Sequence, residues 1–517
     1  MERRRFLTGL GLAAAAASIG GTSWLMRPYL TEWLTPEPRW TPFDALTADD
    51  WDVCIIGSGP AGAVLGRDLV AQGIRTLILE SGAATAEQLA GSRIQHLDAY
   101  RVEGNAGYPL AATRARTPGG TSTMWTGRCS RLHPLDFEPN AYTPPGAEWP
   151  VRYDELRPYY ARAERTLRVH GGRLSHYHAP RRDPLPPAEE PTSGALKALL
   201  EGIGITTDLS PTSVGAYGPG PVRARTDLLP AFTESTSGTL VAGATVERLA
   251  TDAGGRVAAV EVRSLDGRTA TLHPGVVVVA CGGVESARLL LRSRSARFPA
   301  GPGNAGDQVG RSFMEHPNIT LRGVMPEPKP DDVYELVRCH QFYDAFKRRG
   351  LGSVILRFIW LPGPERVLRI GATAEMRPRP ENRITLDPTL RDGFGGPAAK
   401  LDFGFSDDDR RTLDAARTLI RDTFRRLGAR DLSEEPMSWS HHHVGSCRMG
   451  DDPRTSVVDR DLRVHGSRNL YVLSSAVFVT AGAAHPTLLI TALAHRLGRH
   501  LAARLRPGGV ATTAAGR

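Results

Sequence analysis

The sequence predicts an α/β chain, α+β overall, with a nucleotide-binding sheet assembled from non-contiguous segments and a second domain built on an antiparallel sheet. Three observations carry that prediction. Trp51–Gly82 reads as strand, glycine-rich turn, helix and strand. Val276–Ser293 repeats the junction of an apolar strand, small residues and a helix. Ser353–Leu361, Leu368–Arg377 and Asn382–Leu386 alternate with the period of two expected of half-buried strands.

In the first stretch, Val53–Ile56 is short, apolar and β-branched, as a strand buried on both faces requires. It breaks at Gly57, Gly59 and Gly62, the G-x-G-x-x-G spacing. The run from Ala61 to Gln72 is read as a helix ending at Gly73, and a second apolar run, Thr76–Leu79, finishes in Glu80. Each part has a mechanical job in a Rossmann-like dinucleotide site. Gly57 permits the tight turn, Gly59 lets the backbone approach a pyrophosphate, and Gly62 lets helix and strand pack closely. The helix N-terminus offers N–H groups and a positive dipole end to the phosphates. Glu80 is placed to accept hydrogen bonds from both ribose hydroxyls. Glycine-rich turns alone are common; strand, glycines, helix, strand and acid in order specify the site.

At 517 residues, 41% of them hydrophobic, the chain is long enough for two domains with cores of their own. Its net charge of +9 is interspersed rather than blocked, and no basic run alternates with aromatics, which argues against a nucleic-acid platform. Five cysteines, at 54, 129, 281, 339 and 447, give no disulfide framework, and no Cys/His spacing points to a metal. Arg3-Arg4-Arg5-Phe6-Leu7 ahead of an apolar, alanine-rich stretch to Met26 has the pattern of a twin-arginine export signal. That route suits a protein that loads a cofactor before it leaves. Ala13–Ala17 offers small residues for cleavage, whereas Trp24-Leu25-Met26 suits a retained anchor, so residues 1–35 are read as signal and anchor candidate. No other stretch approaches the roughly 20 apolar residues of a membrane-spanning helix.

Residues 36–50, rich in proline and polar side chains, follow as a linker. Tyr108–Phe137 is rich in glycine, threonine and arginine without periodicity, and an ordered loop of that length is more often functional than not. Tyr153-Asp154-Glu155-Leu156 opens a helix, and Ser193–Ile203 is a second. Val241–Arg263 reads as paired strands about Asp252-Ala253-Gly254-Gly255. Pro326–Arg349 is polar and irregular, Asp407–Leu427 an amphipathic helix, Asn469–Leu473 a strand, and Thr487–Leu505 a final helix.

Two histidine sites stand near the C-terminus: Ser440-His441-His442-His443-Val444-Gly445-Ser446, and Ala484-His485-Pro486-Thr487 just ahead of the last helix. A histidine titrates near neutrality, so it can take a hydroxyl proton as hydride leaves the same carbon. A histidine pair lets one act as base while the other orients the hydroxyl. The residues alone leave other readings open: three adjacent histidines suit a metal tract or arise by chance, and His485 suits a helix-capping loop.

Further motifs occur in order: Gly119-Gly120-Thr121-Ser122 with Trp125, Pro134-Leu135-Asp136-Phe137, Trp149-Pro150 with Tyr153-Asp154, and Gly283-Val284-Glu285-Ser286-Ala287-Arg288-Leu289-Leu290. They continue with Val309-Gly310-Arg311-Ser312-Phe313-Met314-Glu315-His316-Pro317, Glu381-Asn382-Arg383-Ile384-Thr385-Leu386, Gly445-Ser446-Cys447-Arg448-Met449-Gly450 and His485-Pro486-Thr487. Together with Gly57–Gly62 and Glu80, this series resembles the glucose–methanol–choline (GMC) flavoprotein oxidoreductases over nearly all of residues 50–505. The resemblance implies FAD rather than NAD, and hydride transfer from an alcohol carbon to the flavin. It places His442 at the family's catalytic histidine and His485 where the family has a second histidine or asparagine. Val246 falls where the family holds the adenine through its backbone, and Gly119–Ser122 with Thr126 would position the isoalloxazine. Ser474, Ser475, Pro486 and Thr487 are expected at the cofactor as well. Two departures stand out. Met124 occupies the position where pyranose 2-oxidases carry a histidine bonded to the flavin, so non-covalent FAD is expected. Ser474 stands where the family often has Asp, which would change how the ribityl or pyrophosphate is held.

The nearest branches resembled, pyranose oxidase and gluconate and fructose dehydrogenases, imply a sugar, sugar acid or glycoside as donor and a quinone or cytochrome as acceptor. An oxygen-using oxidase, a flavin-dependent lyase of the hydroxynitrile type and a non-catalytic binding protein are the competing readings. The expected partners are a small-molecule substrate and an electron acceptor, which includes a small subunit, with no nucleic acid; the expected location is periplasmic or extracellular, with membrane contact only through the N-terminal segment. The expected organisation is FAD-binding segments at 51–150, 226–325 and 436–507, a substrate-domain insertion at 151–225, the antiparallel substrate domain at 326–435, and a disordered tail at 508–517.

Overall fold

The structure, a computed structural model, describes residues 35–89, 98–187, 194–217, 220–327, 335–360 and 366–505. The expected export signal, residue 35 apart, and the expected tail lie outside the described residues. Among the described residues no helix is long and apolar enough to cross a membrane.

The nucleotide-binding sheet has five parallel strands in the order Leu470–Val472, Val276–Val279, Val53–Ile56, Thr76–Glu80, Gly238–Ala242. Val53–Ile56, Thr76–Glu80 and Val276–Val279 are buried along their whole length, which their unbroken apolar runs demand. Parallel neighbours need a crossover, and the helix Pro60–Val70 supplies the one between the first two strands. Its apolar face packs on the sheet, the helix Thr487–Leu505 packs beside it, and the helix Tyr153–Thr166 packs in turn on Thr487–Leu505. Val53–Ile56 therefore lies at the centre, with strands added on either side. The crevice at its C-terminal end is where such sheets bind ligands.

A second sheet lies over that crevice. Its antiparallel path runs Glu335–Cys339, Val354–Trp360, Val367–Ala374, Pro317–Val324, Arg430–Glu434, and Ser438–Trp439 adds to the start of Pro317–Val324. The helix Asp407–Arg426 covers its back through Leu413, Ile420 and Phe424, forming a core separate from that of the nucleotide domain. Ser406 caps this helix in a capping box with Asp409, acids fill its first turn and Arg425 and Arg426 its last, as the helix dipole favours.

Three features differ from expectation. The strand expected at 382–386 does not join the antiparallel domain sheet. It extends over Arg383–Arg391 and pairs with Pro397–Asp402, which pairs in parallel with Tyr100–Glu103 from the first nucleotide segment. Alternation reports that a strand is half buried but not which strand it meets. The stretch 326–349, read as irregular, contains the strand Glu335–Cys339 and the helix Tyr343–Arg348. Pro317–Val324, expected in the second FAD-binding segment, sits in the antiparallel sheet. The hairpin Ala244–Thr251 and Val257–Ser264 forms as read, with Thr269–Leu272 as its third strand.

Candidate active site

A cavity of about 830 Å³ runs from the crevice of the parallel sheet to the underside of the antiparallel one. That is within the roughly 300–1,000 Å³ usual for cofactor and ligand sites. At the nucleotide end the turn after Val53–Ile56 is built by its glycines. Gly57 adopts φ +108°, a left-handed conformation, and closes against the Ala280 carbonyl. Gly62 sits so close under the turn that an added Cβ would lie 2.0 Å from the Gly57 oxygen. Gly59 is different: an added Cβ there would meet nothing within 4 Å, because it borders the cavity. The helix starts at Pro60 with no side-chain cap, leaving its first N–H groups for a ligand.

Glu80 is buried in the same corner. Its Oε2 accepts the Ser58 N–H (3.1 Å) and hydroxyl (2.6 Å), and its Oε1 accepts the Gly82 N–H (2.7 Å). Burial pushes its pKa up, and these hydrogen bonds oppose that. Three of the roughly four acceptor sites of a carboxylate are thus taken by the protein. An acceptor site of Glu80 remains beside the cavity, where a ribose hydroxyl is expected. The Ser58 hydroxyl also accepts the Gly119 N–H (2.9 Å), tying the first glycine turn, Glu80 and the second glycine loop into one unit. Nearby, Glu285 meets Arg114 at 2.9 Å and Arg288 at 3.1 Å; burial would raise its pKa, but Arg288, Arg114 and Arg116 hold it well below the usual carboxylate range. Val246 lines this end beside a β-bulge in its strand.

The loop Gly120–Thr126 forms the middle of the cavity, while Gly119, expected at the cofactor, does not line it and packs against the Arg225 backbone. Ser122 donates to the Gly119 carbonyl (2.6 Å) and accepts from the Ala224 N–H (3.0 Å), while Arg223 donates to the carbonyls of Ser122 (2.6 Å) and Trp125 (3.1 Å). Trp125 donates its ring N–H to the Val222 carbonyl (2.9 Å). The loop is therefore braced from behind by residues 222–225, and the side chain of Ser122 is engaged in that bracing. Gly120, Thr121, Met124 and Thr126 line the cavity, with Met124 54% exposed at its mouth. Ser474 caps the turn Ser475–Val477 by accepting the Ala476 N–H (3.1 Å), and Ser475 donates to the His443 carbonyl at 2.5 Å. Both line the cavity, as do Pro486 and Thr487 at the start of the last helix.

The three consecutive histidines point three ways. His441 is exposed, with φ +64°. His443 is buried, its Nε2 2.8 Å from both the Tyr108 hydroxyl and Thr113 Oγ1, and burial pushes its pKa down to about 3. His442 faces the cavity, and burial, then the neighbouring His316 and His485, hold its pKa well below 6.5. This divergence rules out the three as ligands of one ion. His442 Nδ1 lies 2.7 Å from His316 Nδ1, and His316 Nε2 lies 2.8 Å from the Gly482 carbonyl. Glu315 is wholly buried and accepts the backbone N–H groups of His316 (3.0 Å), His441 (3.0 Å) and His442, which anchors the histidine segment. Burial pushes its carboxyl up to about 7 against those bonds. Donor atoms of Glu315, His316 and His442 lie within 4.8 Å of one another, and these hydrogen bonds account for each.

His485 faces His442 with ring centroids 5.0 Å apart. Its Nδ1 is buried and makes no hydrogen bond among the described residues. The loop that carries it is held from below: Gly482 N–H donates to Glu375 (3.2 Å) and Ala483 N–H to the Tyr343 hydroxyl (3.1 Å). Glu375 and Asp136 share the buried Lys347, at 2.7 and 3.2 Å. Arg338, Arg357 and Arg128 border this end of the cavity, and after burial their charges add to the depression of the His485 pKa. His316, Glu315, Arg338 and Arg357 are the site residues that sequence reasoning did not single out. Glu315 and His316 stood in a recognised motif without a role, and the arginines lie on strands with no local signature.

Family models match residues 222–318 and 378–494 as GMC oxidoreductase and residues 50–136 as an FAD binding domain. The 6'''-hydroxyparomomycin C oxidase of Streptomyces lividus is 30% identical, over 89% of this chain and 93% of that protein. The paromamine 6'-oxidase of Streptomyces fradiae is also 30% identical, with the same coverage of 89% and 93%. The fructose dehydrogenase large subunit of Gluconobacter japonicus is 24% identical, over 88% and 98%. Among solved structures, pyridoxine 4-oxidase from Mesorbium loti superposes with a TM-score of 0.62 at 22% identity, covering 87% of this chain and 99% of that one, which shows the shared fold.

Proposed function

The chain belongs to the GMC oxidoreductase family and is an FAD-dependent enzyme that oxidises an alcohol group, and on that premise we propose that its donor is a sugar, sugar acid or glycoside whose electrons pass on to a quinone or cytochrome. The observation that carries the reading is one cavity with the glycine cradle at one end and the facing His442 and His485 rings at the other. The residues present fit FAD: Gly59 leaves backbone bare toward the cavity, the helix behind it is uncapped, and Glu80 keeps an acceptor site. Bound FAD supplies the hydride acceptor. His442 takes the hydroxyl proton at Nε2, the ring nitrogen not engaged with His316. His485 hydrogen-bonds the same oxygen and thereby orients the carbon whose C–H bond breaks as the carbonyl forms. Gly120–Ser122 and Thr126 position the reacting ring, the backbone of Val246 holds the adenine, and the positive end of the helix Thr487–Leu505 favours negative charge gathered near Pro486 and Thr487.

The donor class is supported by the names of the relatives and by the polar lining of the histidine end, where Asn318, Thr373, Ser438 and Ser440 join Arg338 and Arg357. Non-covalent attachment is supported by Met124 at the loop position where a bonding histidine would stand. A partner subunit belongs to the same proposal, on the name of the Gluconobacter relative. Oxygen as acceptor is a second reading, favoured by two relatives named as oxidases over 89% of this chain. Anaerobic bleaching of the purified flavoprotein against sugars, sugar acids, glycosides and simple alcohols tests both readings. Bleaching by a sugar-type donor, with colour restored by a quinone analogue and not by air, is the expected result. Rapid recovery in air makes the protein an oxidase, and bleaching by simple alcohols alone removes the sugar reading.

A further inference from the structure

We propose that His316 is a positioning residue that holds His442 in the tautomer whose lone pair sits on Nε2, and that it does so from the Gly482 carbonyl. The inference rests on the reading of His442 as the base. A carbonyl oxygen has no proton to give, so at 2.8 Å the proton belongs to His316 Nε2. His316 is wholly buried and burial keeps it neutral, so it carries that one proton and its Nδ1 is bare. The 2.7 Å contact between His316 Nδ1 and His442 Nδ1 needs one proton between two ring nitrogens, and only His442 can supply it. A neutral His442 with its proton on Nδ1 then presents a lone pair at Nε2, the nitrogen left for the cavity.

The Gly482 and Ala481 carbonyls and the Glu375 charge all favour a proton on the His316 ring, and the 2.8 Å contact of Nε2 with Gly482 fixes which nitrogen carries it. The Glu315 carboxylate faces backbone N–H groups rather than either ring. The Gly482 carbonyl cannot turn away, because the N–H groups of Gly482 and Ala483 are held by Glu375 and Tyr343, and Glu375 is held by Lys347. The tautomer of the base is thus set through backbone fixed by Glu375, just past the strand Val367–Ala374, and by Tyr343 at the start of the helix Tyr343–Arg348. An imidazole acceptor is neutral where a carboxylate is charged, so the arrangement orients His442 without raising its basicity, and the proton it receives is readily released.

Two variants separate this role from a packing role. In His316→Asn the amide oxygen replaces Nδ1 as the acceptor for His442. In His316→Gln the amide nitrogen replaces Nε2 as the donor to Gly482, and no acceptor remains at the Nδ1 position. Histidine ¹⁵N spectra of the FAD-loaded proteins, with the His442 signals identified by their loss in His442→Ala, report which nitrogen is protonated. Wild type and the Asn variant are expected to show a protonated Nδ1 and a bare Nε2, and the Gln variant a shift of the proton toward Nε2. Flavin reduction by the best donor of the panel is expected to stay within about tenfold of wild type for Asn and to fall about 100-fold for Gln, with the donor's affinity unchanged. A wild-type His442 protonated on Nε2, or an active Gln variant beside an inactive Asn variant, overturns the proposal. If a variant fails to load FAD, the wild-type spectrum decides alone. If His442→Ala reduces as fast as wild type, the base reading falls, while the tautomer remains as the spectrum shows it.

Discussion

Gly62→Ala yields a protein that does not hold FAD. The added methyl would lie 2.0 Å from the Gly57 oxygen and 3.1 Å from Ile55 Cγ2, and the first of these is backbone that cannot rotate aside. Relief requires the turn to part from the helix, which moves the Gly57–Gly59 backbone and the helix N-terminus together. Overpacking of this kind costs about 1–3 kcal/mol in an ordinary core, and here it falls on the groups that meet the pyrophosphate. Flavin per protein, read from absorbance, should fall at least about tenfold, an affinity change of roughly 1.4 kcal/mol or more, and the melting temperature should fall with it. Gly59→Ala is the informative partner. Its methyl meets no protein atom within 4 Å, so the fold should be undisturbed while the methyl occupies the ligand's approach. A Gly62→Ala protein with a full complement of flavin would place the cofactor elsewhere.

His442→Ala has the other large effect, of a different kind. Removing a general base lowers the chemical step by about 10²–10⁴-fold. FAD content should not change, because the histidine segment is anchored by backbone N–H bonds to Glu315 that survive the substitution. The pH profile of the wild type carries a related sign. The competent form of His442 is neutral, and burial together with neighbouring histidines lowers its pKa well below 6.5. Flavin reduction should therefore be insensitive to this group at neutral pH and be lost only as pH falls through the depressed value. Stopped-flow reduction rates across pH read this directly, and a limb attributable to His442 above 6.5 would contradict it.

The nucleotide half was legible because its signals are local. An unbroken apolar strand, three glycines and a terminal acid within 30 residues specify a turn whose neighbours in sequence are its neighbours in space. Even there one detail escaped: Ser58, between two of the glycines, takes up much of Glu80 and carries the link to Gly119. The two histidine sites stood out by residue type, but the choice of His442 from its run came from family resemblance, since a run of three histidines does not reveal that one faces inward, one packs against Tyr108 and one meets solvent. His316 was hidden for a plainer reason. It is 126 residues from His442, and its role depends on a backbone carbonyl 166 residues away. The strand Arg383–Arg391 shows the same limit, because its pairing with Pro397–Asp402 and, through it, with Tyr100–Glu103 depends on long-range closure that alternation does not encode.

The central claim is that the cavity between the glycine cradle and the His442–His485 pair removes two electrons from an alcohol and places them on FAD. Mixing the anaerobic flavoprotein with substoichiometric donor, and following flavin absorbance and carbonyl product in the same sample, tests it most directly. The account predicts one flavin bleached for each carbonyl formed, with both slowed together when the reacting carbon carries deuterium. Donor consumed while the flavin stays oxidised would contradict it.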